Sequence, residues 1–151
     1  MLRSEVREEI FKILFRLPFL ESGEMMEQID FSMEELETKS EKNRSYIREK
    51  TEAVLSHIEE VDRKLSECCE GWNLNRLGKA ELAIMRIAVY EILLDPEIDT
   101  KIAINEALEL SKKYCDEQAK GFINGVLRKV ADSCMPDRSE AEADRSEAEA
   151  D

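Results

Sequence analysis

Glycine and proline are scarce in this sequence: its 151 residues include only five glycines and three prolines. Both residue types interrupt regular structure and build tight turns, so their scarcity excludes a fold made of many short elements. Segments in which apolar and polar residues alternate, the pattern of a half-buried strand, are also missing. Together these absences predict an all-α protein with long helices.

Residues that bind metals are few as well. The sequence has one histidine, His57, and none of its four cysteines forms a C-x-x-C pair; they are Cys68, Cys69, Cys115 and Cys134. A zinc site needs three or four such ligands, usually at short spacings. We therefore expect buried or idle thiols, no metal and no other cofactor.

Patterns typical of enzymes are absent too. We find no nucleophile beside a base, no glycine-rich phosphate loop and no paired carboxylates in a recognisable context. The first 15 residues, MLRSEVREEIFKILF, place acidic residues where a secretory signal has its apolar run. We expect a cytoplasmic protein that is not an enzyme.

Acidic residues outnumber basic ones by 35 to 22, which gives a formal net charge of −13. Nonspecific binding to nucleic acid depends on neutralising phosphates, so an acidic protein is a weak candidate for it. Contact with RNA would require a local basic patch or a partner that supplies positive charge.

The end of the sequence has its own composition. The heptapeptide RSEAEAD occurs twice, at 138–144 and 145–151, and contains no large apolar residue. Such a segment has nothing to bury and is typical of disorder. We expect one folded domain over residues 1–136, followed by a disordered acidic tail over 137–151.

The segment Leu77–Leu94 is the most apolar part of the chain. From Leu82 onward it leaves almost no polar face, which is the pattern of a helix buried in a core. As a helix its 18 residues would span ~27 Å. Glu81, Arg86 and Glu91 interrupt it, so it is a poor membrane span and the protein is not expected in a membrane. We interpret it as the central helix of the domain.

Other helices are predicted around this central one. Residues Glu21–Asp30 are interpreted as a short connection with at most one helical stretch. Ser32 and Glu35 form an S-x-x-E capping box, which predicts a short helix that ends near Thr38. Apolar residues three and four apart predict longer helices over Ser4–Leu17, Asn43–Cys69, Lys101–Tyr114 and Gln118–Ser133. The total is six or seven helices.

Basic residues recur along the first predicted helix. Arg3 and Arg7 lie one turn apart, and Lys12 and Arg16 repeat that spacing. The pattern fits a solvated helix face, and it also fits an edge that faces phosphates, which suit the geometry of arginine.

Three motifs give the sequence a family resemblance. They are RIAVYEIL from Arg86, KIAINEALELSKKY from Lys101 and GFINGVL from Gly121. In this order and spacing, over residues 72–131, they resemble the bacterial NusB transcription antitermination family. The resemblance implies two small helical bundles that share one core. It also implies binding of boxA-type nascent RNA together with the small-subunit ribosomal protein that acts as NusE. The pair would load onto the RNA polymerase elongation complex in ribosomal RNA operons.

The resemblance also implies roles for individual residues. The family contacts RNA through an N-terminal arginine segment, a loop lysine and the start of the last helix, and it meets its protein partner through an acidic position. The matching RNA positions are Arg3, Arg7, Lys101, Lys120, Phe122 and Asn124, and the partner position is Glu81. Single-stranded RNA is commonly held by an aromatic ring stacked on a base and by cations on the phosphates.

Structural alternatives remain open for several of these residues. Phe122 shares an apolar stripe with Val126 and fits a core position, and Asn124 fits a residue that pins a helix turn. Glu81 in a first helical turn is also favoured by the helix dipole. A protein-binding or oligomeric scaffold without RNA contact is the competing function. Related proteins are monomers or dimers, so a monomer and a homodimer are both compatible.

Overall fold

Seven helices make up the regular structure of the residues described by the computed structural model, which are 3–16, 22–36, 40–69 and 77–134. In chain order they are α1 (Arg3–Arg16), α2 (Ser22–Glu35), α3 (Glu41–Ser56), α4 (Ile58–Cys68), α5 (Lys79–Leu94), α6 (Thr100–Tyr114) and α7 (Glu117–Ser133). The prediction of an all-α fold is confirmed. The predicted tail and the predicted domain end at residue 136 lie outside the described residues. No helix within the described ranges is long and apolar enough to cross a membrane.

Helix α5 is the centre of the fold, as its apolar sequence predicts. It packs against α1, α3, α4, α6 and α7. Ile84, Met85 and Ile87 are almost completely buried, at 1%, 0% and 2% exposure. Burying a side chain of this size stabilises the folded state by about 1.5–3 kcal/mol. The apolar character of α5 on nearly all sides therefore reflects contacts with neighbours in almost every direction.

The helices form two bundles that share α5. In the first bundle α1, α2 and α3 pack on one another, and α1 and α3 also pack on α5. In the second bundle α4, α6 and α7 surround α5. The two bundles therefore have one continuous core, which extends from Ile10 and Ile47 to Ile123 and Leu127.

Short polar side chains fix the starts of three helices. The Ser40 hydroxyl accepts a hydrogen bond from the Asn43 amide at 3.2 Å, and Asp99 and Asp116 cap α6 and α7 in the same way, each at 2.8 Å. Each such cap contributes about 1 kcal/mol. The cap at Asp99 sets the position of Lys101 at the beginning of α6.

The segment before α3 differs from the prediction. Residues Ser22–Glu35 form one continuous helix, so Glu21–Asp30 is not merely a connection and Ser32 does not begin a helix. Ile29 and Met33 lie one turn apart, and both are buried against the core together with Ser32. Burial of these three side chains holds α2 against the core. The polar residues around them made the helix hard to recognise in the sequence.

The long helix predicted over Asn43–Cys69 is divided into two. His57 separates α3 from α4 with a backbone conformation outside the helical range, φ −109° and ψ 18°. Its amide donates to the carbonyls of both Ala53 and Val54, which tightens the last turn of α3. The break allows α3 to pack in the first bundle and α4 in the second. The apolar residues keep their spacing of three and four through the break, so the sequence pattern does not reveal it.

Candidate nucleic-acid interface

Arg3 and Arg7, predicted as one RNA-contacting pair, occupy different environments on α1. Arg3 is exposed, and its guanidinium lies 5.4 Å from the centre of the Tyr46 ring on α3. Its Nη1 donates to the Tyr46 hydroxyl at 3.4 Å. Arg7 is only 5% exposed and points into the protein. One turn of helix therefore separates a surface arginine from a core arginine.

Arg7 belongs to a buried ionic network, which consists of Arg7, Lys50, Glu91 and Asp95. Arg7 Nη2 donates to Glu91 Oε2 at 2.7 Å, and Arg7 Nε lies 3.2 Å from both carboxylate oxygens. Lys50 Nζ lies 3.2 Å from Glu91 Oε2 and 2.6 Å from Asp95 Oδ2. The network joins α1, α3 and the end of α5, and Glu106 on α6 lies at its edge, 4.0 Å from Arg7 Nη1.

The network corrects the prediction for Arg7. Burial alone would lower the pKa of the Arg7 guanidinium, but the hydrogen bonds and the charge of Glu91 raise it above its ordinary value. A cation that is enclosed and bonded in this way has no face free for a phosphate. Its role is to hold α1 against α5, and Glu91 is its partner.

Arg3 and Lys101 lie near the connection between α5 and α6. Burial alone would raise the pKa of the Asp95 carboxyl, but the hydrogen bond and charge of Lys50, with a smaller contribution from Arg3, hold it below its ordinary value. Arg3 therefore lies close to the residue that ends α5. Lys101 begins α6 a few residues later, and its side chain is exposed. These two cations form one group of the predicted RNA-binding residues.

The predicted residues on α7 do not share one face. Phe122 is two residues from both Lys120 and Asn124, or about 200° around a helix. It therefore lies on the opposite flank of the buried stripe formed by Ile123, Val126 and Leu127. The Phe122 ring is partly buried and packs against the core. Phe122 therefore contacts the core, as the structural alternative expected, and its RNA contact stays a prediction.

Asn124 and the two glycines of α7 have surface positions. The Asn124 side-chain oxygen accepts a hydrogen bond from Arg128 Nε at 3.2 Å, one turn further along the helix. Gly121 and Gly125 are exposed, and a Cβ atom at either position would meet no atom within 4 Å. Neither glycine is therefore needed for close packing of α7 against another helix.

The predicted residues form two groups at opposite ends of α6. Arg3 and Lys101 lie near its start, whereas Lys120 and Phe122 lie in the first turns of α7, which begins beside the end of α6. The 15 residues of α6 span about 22 Å. An extended ligand, such as a single-stranded nucleic acid, can contact both groups.

Glu81, predicted to face a protein partner, lies in the first turn of α5. Its Oε2 accepts a hydrogen bond from the Gly78 amide at 3.3 Å, so it also helps to begin the helix. Cys115 lies nearby: burial raises the pKa of its thiol to about 11, with smaller contributions from the charges of Glu81 and Asp116. Glu81 is thus placed where the start of α5 meets the end of α6.

An apolar groove of about 320 Å³, here called the aromatic groove, lies between α1, α5 and α6. Phe15 and Tyr114 remain 42% and 36% exposed in it. Its walls come from α1, α5 and α6; they are Phe11, Lys12, Phe15, Arg16, Ala80 and Tyr114. Phe15 and Tyr114 were not among the binding residues predicted from the sequence. Phe15 was recognisable, because it is a large apolar residue outside the buried stripe of its helix.

Glu8 fixes one wall of the aromatic groove. Its carboxylate accepts hydrogen bonds from Lys113 Nζ and from the Tyr114 hydroxyl. These bonds lower the pKa of Glu8, whereas burial and the bond to Glu8 raise the pKa of Tyr114 to about 12. The Tyr114 ring is held 4.6 Å from the ring of Phe11. The groove is therefore preformed in this structure.

These surfaces are suited to binding other molecules. Extended cationic and aromatic positions suit single-stranded RNA, and an apolar groove beside a carboxylate suits a protein segment. Among the described residues no group of three or more histidine, cysteine, aspartate or glutamate side chains is placed to hold a metal ion. The fold and its surfaces define an all-helical binding protein with two shared-core bundles.

Comparison with known proteins identifies the family. The model of the NusB family matches residues 4–132. Transcription antitermination protein NusB of Agathobacter rectalis is 45% identical over 131 residues, which are 87% of this chain and all of that protein. The NusB protein of Lachnoclostridium phytofermentans is 42% identical over 132 residues, again over its whole length. The chain belongs to the NusB family of transcription antitermination proteins.

Solved structures support the same assignment. T. maritima NusB superimposes with a TM-score of 0.80 and 29% identity, covering 91% of this chain and 96% of that one. A chain in the crystal structure of antitermination factors NusB and NusE in complex with dsRNA gives a TM-score of 0.73 and 27% identity. The match covers 88% of this chain and 99% of that chain. The two-bundle architecture is therefore that of the family.

Proposed function

We propose that this protein is a transcription antitermination adaptor. It binds boxA-type nascent RNA together with the small-subunit ribosomal protein that acts as NusE, and the pair joins the RNA polymerase elongation complex. It acts in the cytoplasm without catalysing a reaction and promotes full-length transcription of ribosomal RNA. The observation that carries this proposal is the 45% identity to a transcription antitermination protein over that protein's whole length.

The cationic and aromatic positions support the RNA half of the proposal. Arg3 and Lys101 are exposed near the start of α6, and Phe122 is partly exposed on α7. Cations neutralise phosphates and an aromatic ring can stack on a base, which together hold single-stranded RNA without a deep pocket. Arg7 contributes indirectly, because it holds α1 and therefore Arg3 in place.

The aromatic groove supports the partner half. Phe15 and Tyr114 offer apolar surface, and exposed aromatic residues of this kind are common anchors of protein interfaces. Glu81, which follows the groove residue Ala80 in sequence, provides a carboxylate at the start of α5. A ribosomal protein is basic, so an acidic protein with a net charge of −13 attracts it and accelerates the encounter.

The net charge also predicts cooperation between the two ligands. An acidic protein repels RNA at long range, whereas a bound basic partner reduces this repulsion and adds its own phosphate contacts. We expect weak binding of RNA to the protein alone and tighter binding to the complex. A coupling of about 1–3 kcal/mol corresponds to roughly 5- to 150-fold.

A titration tests the proposal. Fluorescence anisotropy of a labelled boxA-type RNA is measured against this protein with and without the ribosomal-protein partner, at one fixed salt concentration. The expected result is an affinity at least fivefold higher with the partner, in line with the coupling range. An affinity that the partner leaves unchanged would contradict the proposal.

The burial of Arg7 favours one alternative, a scaffold that binds proteins but not RNA. Under this alternative the N-terminal helix carries a single exposed arginine near its start, too little to attract RNA. Arg3→Ala combined with Phe122→Leu separates the two functions, since leucine at 122 preserves apolar packing. The adaptor loses RNA affinity in this variant, whereas the scaffold assembles with its partner and RNA polymerase as before.

A further inference from the structure

A second pocket, here called the α1–α3 pocket, lies between the starts of α1 and α3. It has a volume of about 270 Å³ and is lined by Arg3, Val6, Lys42, Asn43 and Tyr46. Two of these five residues are positively charged and none is negatively charged. In a protein with a net charge of −13, such a lining is a local reversal of the overall charge.

The two cations of this pocket form no direct ion pair, although Arg3 lies close enough to Asp95 for their charges to interact. Most cations on the same bundle are paired: Arg48 with Asp30 at 2.6 Å, for example, and Lys12 with Glu9 at 3.3 Å. Neither Arg3 nor Lys42 forms an ion pair within the described part of the chain, and the polar contact of Arg3 is with the neutral Tyr46 hydroxyl. Both charges therefore remain available to an anion from outside.

Tyr46 gives the pocket a flat surface. The Arg3 guanidinium lies 5.4 Å from the centre of the Tyr46 ring, and Lys50 Nζ lies 5.8 Å from it. Guanidinium planes and aromatic rings are the two surfaces on which proteins stack RNA bases. Because Lys50 is held by Glu91 and Asp95, the helix that carries Tyr46 is fixed against α5.

We propose that the α1–α3 pocket is a nucleotide subsite for single-stranded RNA. Arg3 and Lys42 hold the phosphate, and the base packs on the surface formed by Arg3 and Tyr46. The amide of Asn43, which lines the same pocket, can both donate to and accept from a base edge. The proposal rests on the proposed RNA-binding function and extends its surface onto α3, where the sequence analysis placed no contact.

The position of Arg3 connects this subsite to the other predicted RNA contacts. Arg3 lines the pocket on one side and lies near Asp95 on the other, where the chain turns toward Lys101. A strand that passes from Lys101 over Arg3 would reach Lys42 after passing the Asp95 carboxylate, whose charge Lys50 offsets. The subsite would therefore bind the part of the RNA that extends past Lys101, away from Lys120 and Phe122.

Two substitutions separate charge from stacking. RNA affinity of the complex with the ribosomal-protein partner is measured at several salt concentrations for Lys42→Ala and Tyr46→Leu. Loss of one phosphate contact reduces the slope of log affinity against log salt by about 0.7 for single-stranded RNA, as expected for Lys42→Ala. Loss of a stacked base weakens binding by about 5- to 100-fold with an unchanged slope, as expected for Tyr46→Leu.

Matched variants control both measurements. Tyr46→Phe retains the ring and loses only the hydroxyl bonded to Arg3, so it is expected to lose less affinity than Tyr46→Leu does. Arg63→Ala removes an exposed cation from α4 in the other bundle and is expected to leave the slope unchanged. Thermal melting followed by circular dichroism verifies folding. If Tyr46→Leu does not fold, Lys42→Ala, whose side chain is exposed, decides the test.

The outcomes distinguish the subsite from the wider function. If the wild-type complex binds RNA but Lys42→Ala changes neither affinity nor slope, the subsite is overturned and the adaptor function stands. If the wild-type complex does not bind RNA, the proposed function fails first. Crosslinking with 4-thiouridine RNA gives an independent readout: labels within residues 42–46 support the subsite, and labels confined to α6 and α7 overturn it.

Discussion

Arg7 and Glu91 are 84 positions apart in sequence and form a bidentate ion pair inside the protein, with Arg7 Nη2 2.7 Å from Glu91 Oε2. Arg7 is 5% exposed and Glu91 is 1% exposed. The pair joins α1 to α5, and Lys50 adds α3 to the same carboxylate. The first bundle is thus attached to the shared core by charge as well as by apolar packing.

Removing Glu91 should destabilise the protein strongly. Glu91→Ala leaves two buried cations without their common partner, and breaking a buried ion pair from one side costs about 3–5 kcal/mol. The free energy of unfolding, measured by urea denaturation, should fall by that amount. Glu109→Ala is the matched control: it removes an exposed pair with Lys112 and should change stability by less than about 0.5 kcal/mol. A loss below about 1 kcal/mol for Glu91→Ala would contradict the structural role of the network.

Acid should weaken the fold partly through Asp95. Its carboxyl has a folded-state pKa below the ordinary value of 3.8, because Lys50 outweighs the effect of burial. The stability it contributes is therefore present above pH 3.8 and is lost as pH falls through the lower folded-state value. Glu8 acts in the same direction.

Comparison with Asp95→Asn isolates this contribution. The difference in free energy of unfolding between wild type and variant should be largest near neutral pH and should shrink between about pH 5 and pH 2. Denaturant melts at several pH values measure it. A difference that stays constant over this range would show that the Asp95 carboxyl does not titrate differently in the folded and unfolded states.

The aromatic groove should determine partner affinity. Phe15→Ala removes an exposed ring with little effect on the core, and loss of an interface anchor costs about 2 kcal/mol or more, roughly 30-fold in affinity. Isothermal titration calorimetry with the ribosomal-protein partner measures this change in affinity. Phe31→Ala removes a ring that is 54% exposed on α2 and should bind the partner normally. Equal affinities for the two variants would place the partner elsewhere.

Much of the fold could be predicted from the sequence, because its strongest signals are local. The apolar run of α5 and the acidic caps of α6 and α7 specify their helices within a few residues. The full length of helix α2 could not be predicted, since only Ile29 and Met33 reveal its buried side. The break at His57 arises because α3 and α4 pack in different bundles. The spacing of apolar residues is continuous through His57 and therefore does not predict the break.

The candidate site was less predictable for a related reason. Arg3 and Arg7 look equivalent in sequence, and only the distant Glu91 decides that one is buried. Phe15, Tyr114 and Tyr46 gain their surface roles from neighbours on other helices. Spacing along one helix predicts which residues share a face, but it does not tell which face another helix covers.

Lys101 should contribute a phosphate contact. Lys101→Ala removes an exposed cation at the start of α6 without touching the cap, because the cap uses the backbone amide. The slope of log RNA affinity against log salt should fall by about 0.7 for the complex with the partner. Arg63→Ala again serves as the control for a change of one surface charge. A slope identical to that of the wild type would show that Lys101 makes no phosphate contact.

Transcription through a terminator tests the proposed antitermination activity most directly. RNA polymerase transcribes a template that carries a boxA-type element upstream of the terminator, in the presence of the ribosomal-protein partner and with or without this protein. The prediction is that this protein increases the fraction of full-length RNA and that a template with a scrambled boxA element abolishes the increase. An unchanged full-length fraction on the intact template would contradict it.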